Sequence, residues 1–166
     1  MKLLYSHRLQ EANVRWVSVQ EADFNIQDEY DALALNNADD GAIVFFVGRV
    51  RDLNEGDEVK ALTLEHYPGM TEKSLHTIID QASNRWALNR VRVVHRVGVL
   101  LPADQIVFVA VSSPHRGDSF QGAEFIMDYL KTQAPFWKKE NTSAGDRWVD
   151  AKQSDNEQAG QWSESF

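Results

Sequence analysis

No part of the chain constrains its fold more than the stretch from Gln105 to Glu140. It opens with Gln105-Ile106-Val107-Phe108-Val109-Ala110-Val111, a short and nearly continuous apolar run of the kind that forms a buried strand. Ser112-Ser113-Pro114-His115-Arg116-Gly117 interrupts it, and the Pro and Gly mark a loop. Asp118 stands in the N-cap position of a helix, with Gln121 placed for a capping box. Phe120, Ala123, Met127, Leu130 and Ala134 then form one apolar helix face. Pro135 ends that helix, and Phe136-Trp137-Lys138-Lys139-Glu140 resumes as extended chain. The order is strand, polar loop, helix, strand. His115, Arg116, Lys131 and Lys138 all fall at or near the element ends.

Lys131 projects beside Phe120 and Met127, at the border of the apolar face. Two readings are open there. Partial desolvation would lower its pKa and make it usable as a base or nucleophile. Alternatively it pairs with Asp128 or Glu124 and complements the helix C-terminal dipole, as exposed lysines at helix ends commonly do.

The remaining chain supplies further strands and helices. Val14–Val19 and Ala42–Val47 read as strands, Phe24–Leu35 as a helix, and 36–41 as a turn cluster. Lys60–Tyr67 alternates in part and is a strand broken by Pro68-Gly69. Thr71 is placed to cap a helix whose face is Leu75, Ile78, Ile79, Ala82 and Trp86. Val91–Val97 is a strand expected to pair with Gln105–Val111 in a hairpin. Residues 1–152 form a single domain in this reading, with 52–59 as an acidic mobile loop and 153–166 as a polar, frayed or partner-ordered tail. Strands and helices do not alternate one for one, so the class is α+β, with the two amphipathic helices packed on one side of a sheet.

Composition excludes several functions. The 166 residues carry a net charge of -8, which argues against a general nucleic-acid binder. There is no cysteine, hence no disulfide, thiolate metal site or thiol nucleophile, and a cytoplasmic location fits. No apolar run reaches the length of a membrane span. His7, His66, His76, His95 and His115 show no metal-ligand spacing, and His76 and His95 read as structural or surface residues. Gly48-Arg49-Val50-Arg51 reads as a strand ending in solvated arginines. Taken together, though, Arg51, His115, Arg116, Lys131 and Lys138 are cations at element ends. Brought together by a sheet, they would form a pocket for a phosphate or another anion.

Several runs resemble the large, catalytic subunit of molybdopterin synthase. They are Phe45–Arg51, Leu62–Met70, Ser113–Arg116, Phe125–Lys131, Ala134–Glu140 and Gly145–Val149, in consistent order from about Gly41 to Ala151. The resemblance implies an α/β-hammerhead fold and a homodimer with a small ubiquitin-like subunit at each end. It implies a sulfurtransferase in which that subunit brings sulfur as a C-terminal thiocarboxylate. The acceptor is cyclic pyranopterin monophosphate (precursor Z), which takes two sulfurs to become the molybdopterin dithiolene. No metal or cofactor is expected. The family's essential lysine falls on Lys131 and its second lysine on Lys138, while Arg51, His115 and Arg116 match positions lining the substrate and phosphate side. Lys152 stands where the family often carries an arginine lent across the dimer, and Ala103 where a turn glycine is usual. The alternative is a non-catalytic module that binds the pterin phosphate or the partner alone.

Overall fold

The computed structural model describes residues 14–150 and 153–163. Along the chain come β1 (Val14–Gln20), α1 (Ile26–Ala34), β2 (Ala42–Arg49), β3 (Leu53–Asn54), β4 (Asp57–His66) and α2 (Met70–Arg85). They are followed by β5 (Arg90–Arg96), β6 (Gly98–Leu100), β7 (Gln105–Ser113), α3 (Arg116–Gln133), β8 (Phe136–Thr142), β9 (Gly145–Val149) and α4 (Gln153–Gln161). The class is α+β, as the order of elements suggested.

Two sheets divide the strands. The first has the order β1-β5-β7-β2, parallel only between β1 and β5. The second runs β3-β4-β8-β9, with β6 also paired to β4. The expected hairpin of β5 and β7 forms, and β6 leaves it to join the other sheet. The run in β7 is apolar throughout because both its faces are covered. Val107, Val109 and Val111 pack with Leu75, Ile78, Ile79, Ala82, Ala123, Ile126 and Leu130 of α2 and α3. Phe108 and Ala110 face the other way, with Phe24, Leu33 and Val94. The two amphipathic helices therefore share one side, and α1 covers the opposite one.

Alternation in β5 explains α1's position. Val91 and Val93 enter the α2–α3 core, while Arg90 and Arg92 are buried on the α1 side. Arg92 donates to both oxygens of Glu29, at 2.6 and 3.0 Å, and to Ser18. Arg90 donates to the carbonyls of Leu33, Leu35 and Asn36, satisfying acceptors left over at the helix C-terminus.

Several local expectations need correction. α3 begins at Arg116 with His115 in the cap position; Asp118 lies in its first turn and accepts from the Ala87 amide instead. α2 starts after Gly69, whose φ of 84° suits glycine, and Glu72 accepts from the Gly69 amide. Thr71 Oγ1 accepts from the Tyr67 amide and donates to the Pro135 carbonyl, tying the start of α2 to the start of β8.

The expected mobile loop at 52–59 is a hairpin of β3 with β4, turning at Glu55 and Gly56, both at positive φ. Its acidity is offset by Arg147, which reaches Asp57 at 2.8 Å and the Asn54 carbonyl at 3.2 Å. The expected tail forms α4 and then docks through Trp162. That indole packs against Trp86 and Phe125 and donates to Asp128 at 2.8 Å. One anchoring tryptophan after a polar helix leaves no periodicity to read. Among the described residues no helix is long and apolar enough to cross a membrane.

Candidate functional site

A cavity of about 350 Å³ opens where the two sheets meet the last turn of α3. Arg49 and Arg51 reach it from the end of β2, His95 from β5, Lys131 from α3, and Lys138 and Glu140 from β8. Local structure accounts for this convergence. A bulge between Gly48 and Arg49 ends the regular pairing of β2 with β7 and turns the chain toward the second sheet. Only glycine fits before it, since a Cβ at position 48 would lie 2.7 Å from Val107 Cγ1. The following turn is held by hydrogen bonds from the Val50 amide to the Asp104 carbonyl and from Arg49 Nε to the Ala103 carbonyl. Ala103 occupies the left-handed region there, with φ 73°, where glycine is favoured. On β8, alternate residues share a face, so Phe136, Lys138 and Glu140 point the same way.

Three of the predicted cations thus share one cavity: Arg51, Lys131 and Lys138. Arg49, read from sequence as a solvated strand end, joins them. The partner of Lys131 is neither Asp128 nor Glu124. Its Nζ lies 3.5 Å from Asp155 Oδ1 on α4, while Asp128 is engaged by the Trp162 indole. His115 and Arg116 do not join the cavity of their own chain. They are exposed at the N-terminus of α3, and the helical rise over fifteen residues separates Arg116 from Lys131 by about 22 Å. Lys152 lies outside the described residues.

Arg51 is oriented by a chain of contacts. It donates to Asn54 Oδ1 at 3.2 Å, and the buried Asn54 donates to Glu140 Oε1 at 2.8 Å. Glu140 Oε2 accepts from Arg147 Nε at 3.2 Å, a hydrogen bond that raises the Arg147 pKa above its usual high value. The Glu140 carboxylate in the cavity wall is therefore already occupied, and the remaining charge facing the space is cationic.

His95 was missed from sequence, where it read as a structural residue in a strand. Its ring stacks on Phe136 with centroids 3.7 Å apart and planes at 17°. Burial pushes its pKa down to about 4, a hydrogen bond to the Arg96 carbonyl opposes the shift, and the charges of Lys138 and His66 add to it. No spacing rule could have placed it here, because the cavity arises from contact between two sheets. Among the described residues no group of three or more His, Asp or Glu side chains is arranged to hold a metal.

Comparison with known proteins adds to the geometry. The family model described as MoaE protein matches residues 19–133. A Vibrio cholerae protein named molybdopterin synthase catalytic subunit is 59% identical, over 88% of this chain and 97% of that one. The molybdopterin biosynthesis MoaE protein of Burkholderia ambifaria superposes with a TM-score of 0.78 at 51% identity, covering 90% of this chain and 99% of that one. A chain of the molybdopterin synthase structure from Staphylococcus aureus gives 0.74 at 32% identity, with 80% and 96% covered.

Proposed function

The chain belongs to the MoaE family, the catalytic subunits of molybdopterin synthase, and from that premise we propose that its cavity carries out a sulfur transfer. The sulfur donor in this reading is a small ubiquitin-like subunit with a C-terminal thiocarboxylate. The acceptor is cyclic pyranopterin monophosphate, which gains two sulfurs to form the dithiolene. The observation that carries the reading is the meeting of Arg51, Lys131 and Lys138, from three separate elements, around one cavity in an acidic chain.

The roles follow from position. Arg51, held by Asn54, offers a planar fork for the substrate phosphate. Lys138 lies on the β8 wall and adds a second positive charge beside the substrate. Lys131 lines the cavity with its side chain partly exposed, within reach of an incoming peptide tail. There its ammonium attracts the thiocarboxylate, and its amine serves as acid, base or transient acyl acceptor as the sulfur leaves the tail. His115 and Arg116 are assigned to the substrate of a second copy in a homodimer, since they lie at the far end of α3 from Lys131 and do not line the cavity of their own chain. Lys152 is assigned the same cross-dimer role, with charge but without the bidentate fork of an arginine. The proposed compartment is the cytoplasm, whose reducing conditions preserve a thiocarboxylate.

The test is reconstitution of the full chain with a thiocarboxylated small subunit and precursor Z, followed by an assay for dithiolene. Lys131→Ala is expected to fold and bind the small subunit, yet to form product slower by on the order of 10²–10⁴-fold. Undiminished product formation by that variant refutes the assignment. Binding of the pterin without any product from the parent chain would indicate a non-catalytic module.

A further inference from the structure

We propose that His95 is a substrate-binding residue of the cavity, its Nε2 accepting a hydrogen bond from an N–H or O–H donor on the bound pterin. This deepens the reading above and rests on the cavity being the pterin site.

The tautomer follows from one contact. Nδ1 lies 2.8 Å from the Arg96 carbonyl oxygen, which can only accept, so Nδ1 carries the proton and Nε2 the lone pair. Nε2 is not a buried orphan: among the described residues no buried side-chain nitrogen or oxygen lacks a partner. His95 is only 3% exposed yet lines the cavity, so Nε2 opens on that space. The ring cannot swing away, because Phe136 stacks on one face and β5 is held between β1 and β7.

What surrounds it makes this atom distinctive. Arg49, Arg51, Lys131 and Lys138 bring only donors. The side-chain acceptors are engaged, Glu140 by Asn54 and Arg147, and Asn54 Oδ1 by Arg51. His95 Nε2 is thus an acceptor held ready in a wall of cations. Such a group recognises neutral donors on the ligand and contributes nothing to binding an anion. A ligand without the donor leaves the acceptor buried and unpaired, which gives such sites strong discrimination.

The ring also keeps its lone pair across the physiological range. Burial, with the charges of Lys138 on β8 and His66 on β4, disfavours protonation. Lys131 on α3, Arg49 at the end of β2 and Arg51 after it also line the cavity, and its one carboxylate, Glu140 on β8, is taken up by Asn54 and Arg147. The residues paired with it on β1 and β7, Val19 and Val107, carry no charge.

The experiment titrates precursor Z and, separately, inorganic phosphate into the full chain by calorimetry, for the parent, His95→Phe and His95→Gln. Phenylalanine keeps a ring against Phe136 without an acceptor; glutamine restores an acceptor without the ring. The expected result is tenfold or greater weakening of pterin binding in His95→Phe, phosphate binding within twofold of the parent, and substantial recovery in His95→Gln. In turnover KM rises while kcat changes less than threefold, and the ratio of parent to His95→Phe affinity stays constant from about pH 6 to about pH 8. Pterin binding by His95→Phe within twofold of the parent overturns the proposal. So does parallel loss of phosphate binding, or an affinity ratio that collapses near pH 6.5, which would make the imidazole a cation. Failure of the parent itself to bind precursor Z would instead sink the site assignment beneath it.

Discussion

Lys131 Nζ lies 3.5 Å from Asp155 Oδ1, so the lysine at the end of α3 meets a carboxylate from the last helix of the chain. With 43% of the lysine side chain exposed, the pair is weak as a source of stability. Its consequence is electrostatic, because Asp155 partly cancels the charge that an anionic tail would meet. Asp155→Asn is expected to change unfolding free energy by less than about 0.5 kcal/mol. It should tighten binding of a thiocarboxylated tail by about two- to fivefold at low salt, with the gain fading as salt rises. Titration calorimetry at two ionic strengths, beside chemical denaturation, checks both parts. A stability loss above about 1.5 kcal/mol would show that the contact holds α4 in place.

The separation of Arg116 from Lys131 along α3 leads to a complementation test. If both serve one substrate, they come from different copies. Arg116→Ala and Lys131→Ala should then each be nearly inactive alone. Mixed after exchange of subunits, they form heterodimers with one intact cavity, and about a quarter of parental activity should return, since half the dimers are mixed and each has one working site. No recovery on mixing, with heterodimers demonstrated by mass spectrometry, would show that Arg116 does not act across the dimer.

Trp162 closes a box formed with Trp86 and Phe125 and hydrogen-bonds to Asp128. Large-to-small changes of a fully buried aromatic cost about 3–5 kcal/mol, and this indole is half-buried, so Trp162→Ala should cost about 2 kcal/mol. Since α4 has no buried residue of its own, amide exchange across 153–161 should rise sharply while α3 remains protected. Equal protection of α4 in parent and variant would mean that other contacts hold it.

These sites also mark what could be read from the sequence. The buried runs of β2, β5 and β7 and the faces of α2 and α3 were legible because burial on a regular element leaves a period in the side chains. Arg51, Lys131 and Lys138 were recognisable as cations at element ends, and the family resemblance singled them out. Their convergence was not, since it depends on how β8 and the bulged end of β2 are juxtaposed across two sheets. The burial of Arg90 and Arg92 against α1 leaves no local signal in the strand, because their partners lie far along the chain. The hairpin at 53–58 was obscured by its acidity, which Arg147 offsets from roughly ninety residues away. Helix α4 and its Trp162 anchor offered no pattern at all.

His95 makes stability depend on acidity in a definite direction. In the fold its pKa is depressed to about 4 from the ordinary 6.5 of an imidazole, chiefly by burial. Between those values the unfolded chain binds a proton that the folded chain refuses. The contribution is therefore complete above about pH 6.5 and is lost as the pH falls toward 4, up to a limit of about 3 kcal/mol. Carboxylates titrate in the same range in both proteins, so the difference between parent and His95→Gln isolates the imidazole. The variant should be less stable at pH 7, having lost the stack on Phe136, and the gap should shrink by about 2 kcal/mol at pH 4.5. Chemical denaturation at pH 7, 5.5 and 4.5 measures that gap. A gap that stays constant would mean that the buried ring accepts a proton as readily as an exposed one, contrary to the environment formed by β5, Phe136 and the cations around the cavity.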